Sequence, residues 1–381
     1  MRVDSVDALR GLVMVLMALD HVRDFVGDTR ISPTDLTRAS TALFAARWVT
    51  HLCAPVFFLL TGTGAYLRGR HRSARESSAY LATRGLWLIV LEVVVLRCLG
   101  WQFNVDYHVT MLTVLWALGW AMIVLAVLVQ LPVPVVGAIG AVMIAGHNLL
   151  DPVRWSHPLW SILHSPNVIA LDATHVIFVA YVLVPWVGVT AVGYALGRLY
   201  ERAPADRRVW LVGGGAALAF AFVALRAIDA YGDPVRWSAQ RSALRTVLSF
   251  VNTTKYPPSL LFLLMTLGPA LVLLAAFDRR VPRLLAPALV FGRVPLFYYA
   301  VHAPLIHLVA IAICYARYGD VHWMFESATP AAFPITPPPG WGVPLPAVYA
   351  IWLGVVLALY PLCRWYAGVK RAGGPWWLRY I

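Results

Sequence analysis

An arginine and a histidine stand at the two ends of one apolar run near the N-terminus. The run opens Ser5-Val6-Asp7-Ala8-Leu9-Arg10-Gly11 and closes Asp20-His21. From Arg10 to His21 is about three helical turns, or about 16 Å. Three turns return to nearly the same face, so Asp7, Arg10 and His21 share one stripe. Guanidinium groups suit phosphate, and imidazole exchanges a proton near neutral pH. The stripe has an anion-binding end, Arg10 with Asp7, and a proton-transfer end, His21 with Asp20 beside it. The competing structural reading is an Asp7–Arg10 ion pair anchoring the helix end, with His21 a polar residue at the opposite interface.

Other ionisable residues fall at similar depth. His51, in His51-Leu52-Cys53-Ala54-Pro55, opens the second apolar run at the level of His21 and is a second candidate catalytic histidine. Asp106 and His108 precede the fourth run on that side. Glu92 and Arg97 lie in the third run, too unevenly spaced to face each other squarely, and Glu92 is either structural or site-lining. Lys255, in Asn252-Thr253-Thr254-Lys255-Tyr256-Pro257-Pro258-Ser259, stands where it can meet an anion or a carbonyl, or simply snorkel. Tyr298 and His302 share a helix face, with Arg293 nearer the other end of that run. These side chains are candidates for substrate contact. His302 and His307 are poorly spaced for two ligands on one face, so no metal site is expected. His147, His157, His164 and His175 read as interfacial or loop residues.

The elements that must position these residues are membrane helices. The chain has 381 residues, of which 60% are hydrophobic and 13% charged. Globular domains are about 45–50% apolar and about 25% charged, so lipid is the natural solvent. The net charge of +13 sits in short clusters between apolar stretches, which excludes a nucleic-acid binder and fits the positive-inside rule. A bilayer core of about 30 Å needs about 20 apolar residues per helix. The expected spans are Ala8–Phe25, Trp48–Leu67, Gly85–Leu99, Thr110–Leu131, Val133–Leu150, His175–Leu199, Val209–Ile228, Pro258–Phe277, Leu284–Tyr315 and Val343–Trp365. The ninth carries Pro295 and Pro304 and is expected to be kinked.

The expected fold is therefore all-α: one polytopic bundle of about ten helices, with no separate soluble domain. Both termini are expected in the cytoplasm. That orientation puts the basic clusters Arg68–Arg84, Arg202–Arg208, Arg279–Arg283 and Lys370–Arg379 on one side. Arg236, Arg241, Arg245 and Lys255 are the exceptions. The N-terminus lacks the form of a cleaved signal and reads as a retained helix. Cys53, Cys98, Cys314 and Cys363 form no CxxC pair and read as packing residues. The glycines of Gly193–Gly197 and Gly213–Gly215 permit close helix packing.

With these residues in hand, the chain resembles the bacterial relatives of the heparan-α-glucosaminide N-acetyltransferase catalytic domain. The opening Ser5-x-Asp7-x-x-Arg10-Gly11 is typical of that family. The Arg10-x10-His21 spacing is similar to the arginine–histidine signature of membrane O-acetyltransferases. Pro55-Val-Phe-Phe-Leu-Leu-Thr-Gly62 looks like the family's second helix. Residues Lys255–Ser259 and Gly292–His302 resemble bacterial members more than the lysosomal enzyme. There is one departure. The lysosomal enzyme has asparagine where this chain has His21, and its active histidine lies in the loop before the second helix. Here that loop has no histidine until His51, so the catalytic residue is His21 or His51, with His21 favoured.

The resemblance implies an acyltransferase of the inner (plasma) membrane. It would move an acetyl or other acyl group from cytoplasmic acyl-CoA to a hydroxyl or amine of an extracytoplasmic acceptor, sugar or glycolipid. Arg10 and Arg293, with the Arg68–Arg75 cluster near, lie where CoA phosphates would arrive. His21, His51, Lys255 and His302 lie where an acceptor would arrive. Tyr298, Tyr299 or Lys255 would face a tetrahedral oxyanion. No cofactor is held permanently; acyl-CoA is a co-substrate. Membrane lipid is a further partner, and a homodimer is one assembly open to it. The rival functions are a transporter or flippase for a small anionic or lipid-linked solute, and a non-catalytic scaffold.

Overall fold

The computed structural model describes residues 3–326, 337–373 and 378. Arg379, expected in the basic tail, lies outside the described residues. The helices are α1 (Asp4–Val26), α2 (Thr41–Thr50), α3 (Cys53–Gly69), α4 (Ala74–Val90), α5 (Val114–Leu128), α6 (Val133–Gly146), α7 (Pro158–Leu163), α8 (Leu183–Gly197), α9 (Pro204–Ile228), α10 (Ala243–Val251), α11 (Leu260–Arg279), α12 (Ala286–Arg293), α13 (Pro295–Tyr318) and α14 (Leu345–Arg371). Helix α4 continues without a break as a π-helix over Leu91–Trp101. Among the described residues, seven helical segments are long and apolar enough to cross a membrane. The chain is an all-α polytopic membrane bundle.

Each expected span contains a helix, but three do not qualify on length and hydropathy. Helix α1 is interrupted by charge, carrying Asp4, Asp7, Arg10, Asp20, Arg23 and Asp24. Helices α5 and α8 have 15 residues each and rise about 22 Å, less than a bilayer core of about 30 Å. The expected spans Thr110–Leu131 and His175–Leu199 begin instead as strands. These are β1 (Val109–Leu112) and β3 (Val176–Val179), joined by β2 (Asn167–Ala170) in the order β1-β3-β2. Strand β1 runs parallel to β3, with Val109 opposite Val176. Strand β2 runs antiparallel, with Ile169 opposite Ile177. Extended backbone beside a membrane bundle survives only where its polar groups are paired or it lines a cavity. This sheet does both, because Met111 and Phe178 face a cavity described below.

The expected span Leu284–Tyr315 is broken rather than kinked. It divides into α12 and α13 at Val294, whose φ of −133° and ψ of 50° leave the helical region. The residue before a proline is driven out of the α region by the ring, and Pro295 then starts α13. Helix α12 has 8 residues and reaches only about 12 Å, so the break adds no crossing. Pro304 sits inside α13 without ending it.

Helix α1 is the hub. It packs against α2, α3, α11, α12, α13 and α14, burying Val6, Leu9, Val13, Met14, Met17, Ala18 and Val22. By contrast α9 and α14 present exposed Val209, Phe220, Leu353 and Leu357, the surface expected to face lipid. Helices in lipid gain little from hydrophobic burial against one another, so close contact depends on small residues. Gly11 and Gly292 bring α1 and α12 into backbone contact: a Cβ on Gly11 would lie 1.8 Å from the Ala288 carbonyl oxygen, and one on Gly292 1.8 Å from that of Asp7. Gly62 and Gly193 do the same for α3 and α8, with separations of 2.0 and 2.1 Å. Gly193 thus acts as expected, whereas Gly213 has nothing within 4 Å.

These contacts predict an ordering of stabilities. Gly11→Ala and Gly292→Ala should each destabilise the folded protein by about 1–3 kcal/mol or more through forced separation of the helices. Gly213→Ala should change stability by no more than about 1 kcal/mol, in the stabilising direction. Thermal unfolding in detergent reads both.

Candidate active site

The α1 stripe lines three neighbouring cavities that share wall residues. A polar vestibule of about 700 Å³ opens at the N-terminal end of α1, between Asp7, Arg10, Arg68, Arg70, His71, Arg72 and Glu76. It shares Arg10, Gly64 and Arg68 with a first chamber of about 300 Å³. That chamber is mostly apolar, with Met14, Leu60, Leu81, Leu115, Leu118 and Leu296 in its wall. A second chamber of about 410 Å³ follows toward the C-terminal end of α1, lined by Met17, Asp20, His21, Arg47, Trp101, Lys255 and Tyr256. Phe57, Val114 and Tyr299 line both chambers and form the wall between them. Arg10 and His21 therefore line neighbouring cavities along α1.

His21 is fixed by a second histidine. Its Nδ1 lies 2.7 Å from Nε2 of His302 on α13. The Nδ1 of His302 lies 2.6 Å from the Tyr299 carbonyl oxygen. A carbonyl only accepts, so His302 Nδ1 carries a proton and donates it to that bond. Neutral His302 then has a bare Nε2, which must accept from His21 Nδ1–H. His21 Nε2 is left without a proton, and it makes no hydrogen bond among the described residues. The Trp101 ring meets the His21 ring edge-on at 5.0 Å between centroids, and the two hydrogen-bonded imidazoles lie within 28° of parallel, with centroids 4.9 Å apart. The arrangement can offer a bare imidazole nitrogen to a molecule in the second chamber.

Asp20 adjoins His21 in sequence but serves other groups. Its carboxylate accepts from Arg47, accepts from the Thr50 hydroxyl at 3.1 Å, and lies 2.8 Å from Arg23. Arg23 also reaches Asp24 at 2.6 Å. The two carboxylates of the second chamber are thus matched by two guanidiniums. Lys255 is only 9% exposed and has no ion pair or hydrogen bond among the described residues. Its ammonium lies 5.1 Å from the centre of the Tyr256 ring. Asp233 holds the surrounding segment, accepting from the Thr254 backbone N–H at 2.8 Å, the Thr254 hydroxyl at 2.9 Å and the Ser259 hydroxyl at 2.6 Å. Ser259 in turn caps α11 by accepting from the Phe262 N–H.

The remaining sequence candidates fall elsewhere. Arg10 lines the vestibule and the first chamber and donates to Asp7 Oδ1 and the Gly292 carbonyl, each at 3.2 Å. Arg293 lies outside all three cavities, 3.5 Å from Asp4 at the surface. Tyr298 is fully buried against Phe291 and stacked on His302, so Tyr299 rather than Tyr298 reaches the cavities. His51 is 2% exposed, with its ring against Phe262 and its Nδ1 lacking a hydrogen bond among the described residues. It lines none of these cavities. His108 sits by Asp106 and His175 at the sheet edge. Glu92 accepts from the Thr113 hydroxyl and from the Leu115 N–H at 3.0 Å, so it caps α5 from the neighbouring helix. His307 packs on Phe103, with its Nδ1 3.2 Å from the Gly100 carbonyl oxygen.

Several residues that line or support the chambers carry weak sequence signals. Tyr299 differs from Tyr298 only in helix rotation, which the sequence does not set. Arg47 falls one residue before the second expected span. Trp101 is carried into the chamber by a π-helix, whose register escapes a 3.6-residue period. Asp233 lies in a loop with no motif around it.

A comparison with curated proteins returns no match. A family model described as heparan-alpha-glucosaminide N-acetyltransferase, catalytic, matches residues 2–226. That stretch includes Arg10, His21, Arg47 and Phe57, and ends before Lys255 and His302. On the match over most of its length, the chain belongs to the heparan-α-glucosaminide N-acetyltransferase catalytic family, a family of transmembrane acetyltransferases.

Proposed function

We propose that this protein transfers an acetyl group from acetyl-CoA to a hydroxyl or amine of a sugar-containing acceptor on the opposite face of the plasma membrane. The observation that carries this reading is the row of three cavities along α1. It begins among arginines, narrows through an apolar chamber, and ends at a bare imidazole nitrogen. The span from Arg10 to His21 is about 16 Å along the helix. A ligand that fills it has an anionic head, a long thin arm and a reactive end. Acyl-CoA has that form. The nucleotide phosphates sit in the vestibule with Arg10, Arg68, Arg70 and Arg72, and the pantetheine arm crosses the first chamber. Positive charge clustered at that mouth favours the cytoplasmic side for the donor.

The thioester carbonyl then reaches the Phe57–Val114–Tyr299 wall. The acceptor occupies the second chamber, where Trp101, Tyr256 and Phe178 offer apolar faces to a sugar ring. Its hydroxyl or amine attacks the carbonyl carbon while His21 Nε2 takes its proton. The new C–O or C–N bond forms as the carbonyl π electrons move to oxygen. Lys255 and the Tyr299 hydroxyl face that oxyanion. Collapse breaks the C–S bond, and the departing thiolate recovers the proton from His21. His302 positions His21 throughout by holding its Nδ1–H. Arg47 is held by Asp20 and, with Lys255, favours an acceptor or intermediate with negative charge.

Two measurements test these roles. His21→Ala should lower acetyl-CoA-dependent thiol release, with pooled cell-envelope acceptors, by about 10²–10⁴-fold, whereas His108→Ala should stay within about twofold. Full activity in His21→Ala would remove the base. A stable acetyl-histidine formed without acceptor would instead make the same nitrogen a nucleophile. Arg10→Ala should raise KM for acetyl-CoA about tenfold or more, the cost of losing a charged hydrogen bond, with a smaller change in kcat. Lys255→Met should do the reverse, lowering kcat by about 10²-fold with little effect on KM for acetyl-CoA.

A further inference from the structure

Away from the chambers, three side chains converge where α6 ends. His147 follows the last residue of α6, Asp151 follows the short 3₁₀ turn His147–Leu150, and His164 follows the last residue of α7. One donor atom from each lies within 4.8 Å of the others. His147 is 2% exposed and His164 3%. Both ring nitrogens of His147 are buried and have no hydrogen-bond partner among the described residues. His164 Nε2 lies 3.0 Å from Asp151 Oδ1, and its Nδ1 is also buried without a partner.

Neutral imidazole always carries one N–H and one bare nitrogen. Leaving such a group buried and unmatched costs about 1–3 kcal/mol per atom. At His147 both atoms are unmatched, beside a second imidazole and a carboxylate. We propose that His147, Asp151 and His164 form a metal site for a borderline divalent cation, Zn²⁺ in the first instance. A cation is the ligand that engages the lone pairs of all three at once. Two nitrogens and one oxygen suit zinc or cobalt, whereas calcium and magnesium call for oxygen alone. A tetrahedral zinc site sets its donors roughly 3.3 Å apart, so small side-chain rotations close the present spacing. The fourth position is left to water. The surroundings resemble a supporting shell: Asn148 donates to Asp151 Oδ2 at 2.9 Å and accepts from the Leu260 N–H at 2.9 Å. Groups of this kind hold ligating carboxylates in place.

The position suggests what the metal does. His164 is two residues before Pro166, which lines the second chamber, and β2 begins at Asn167. A cation at this point ties the end of α6 to the strands that wall the chamber and, through Asn148, to the start of α11. Its role is to hold that wall in place; the reaction itself does not pass through it.

The test uses full-length protein purified in detergent with a non-histidine tag, stripped by chelator and then given Zn²⁺ or Co²⁺ alone. Elemental analysis should find one zinc per chain, Co²⁺ should give the visible absorption of a four-coordinate N/O site, and zinc should raise the melting temperature by several degrees. His147→Ala and His164→Ala should lose the metal and the shift, while His157→Ala keeps both. If the two variants fail to fold, the cobalt spectrum of the unaltered protein still decides. Absence of stoichiometric zinc, of the cobalt absorption and of any zinc-dependent shift would overturn the site. So would retention of the metal by folded His147→Ala.

Discussion

The hydrogen bond from His21 to His302 is the contact on which the rest of the site depends. A lone histidine in a membrane helix has no fixed tautomer and no fixed rotamer. Here the Tyr299 carbonyl sets the proton on His302, and His302 sets the proton on His21. The chain of assignments runs in one direction because a carbonyl cannot donate. It ends with a bare nitrogen in a chamber lined by a buried ammonium and two ion-paired guanidiniums. The geometry asks α1 and α13 to approach closely and keep their relative rotation.

That demand explains the architecture around α1. Charged residues inside a bilayer are expensive unless they pair or face water. Asp7, Arg10, Asp20 and Arg23 are tolerable in α1 because the helix is surrounded by six others and opens onto polar cavities. The Gly11–Gly292 contact presses α1 onto α12, which leads through the Val294 break directly into α13. The break re-aims the chain so that Tyr299 and His302 meet the α1 stripe. The same device appears on the other wall, where α5 and α8 are short and their leading strands carry Met111 and Phe178 to the second chamber. Irregular backbone is placed where it lines a cavity, as the cost of unpaired polar groups in lipid requires.

Much of this was legible in the sequence, and the failures have definite causes. The apolar runs located a helix in every expected span. The Arg10–His21 stripe followed from helical period alone, because its period was intact over three turns. Lys255 was legible as a charge placed just before a helix start. The partner of His21 was not, since nothing local links residue 21 to residue 302. The four-residue spacing to His302 points to Tyr298, yet helix rotation turns Tyr298 away from the cavities and Tyr299 toward them. The strands of β1 and β3 hid in apolar runs that period cannot distinguish from helix. The Val294 break had a local signal in Pro295 and read as a kink. His147 and His164 read as interfacial or loop residues, and their approach to each other depends on how α6 and α7 pack, which no local pattern sets.

The account stands or falls on transfer across the membrane between neighbouring cavities along α1. The direct measurement supplies radiolabelled acetyl-CoA to one face of oriented proteoliposomes that enclose cell-envelope acceptors. The account predicts labelled acceptor in the lumen when acetyl-CoA meets the arginine-rich mouth, and none when His21 is alanine. Labelled acceptor confined to the face that received acetyl-CoA, or luminal product undiminished in His21→Ala, would contradict it.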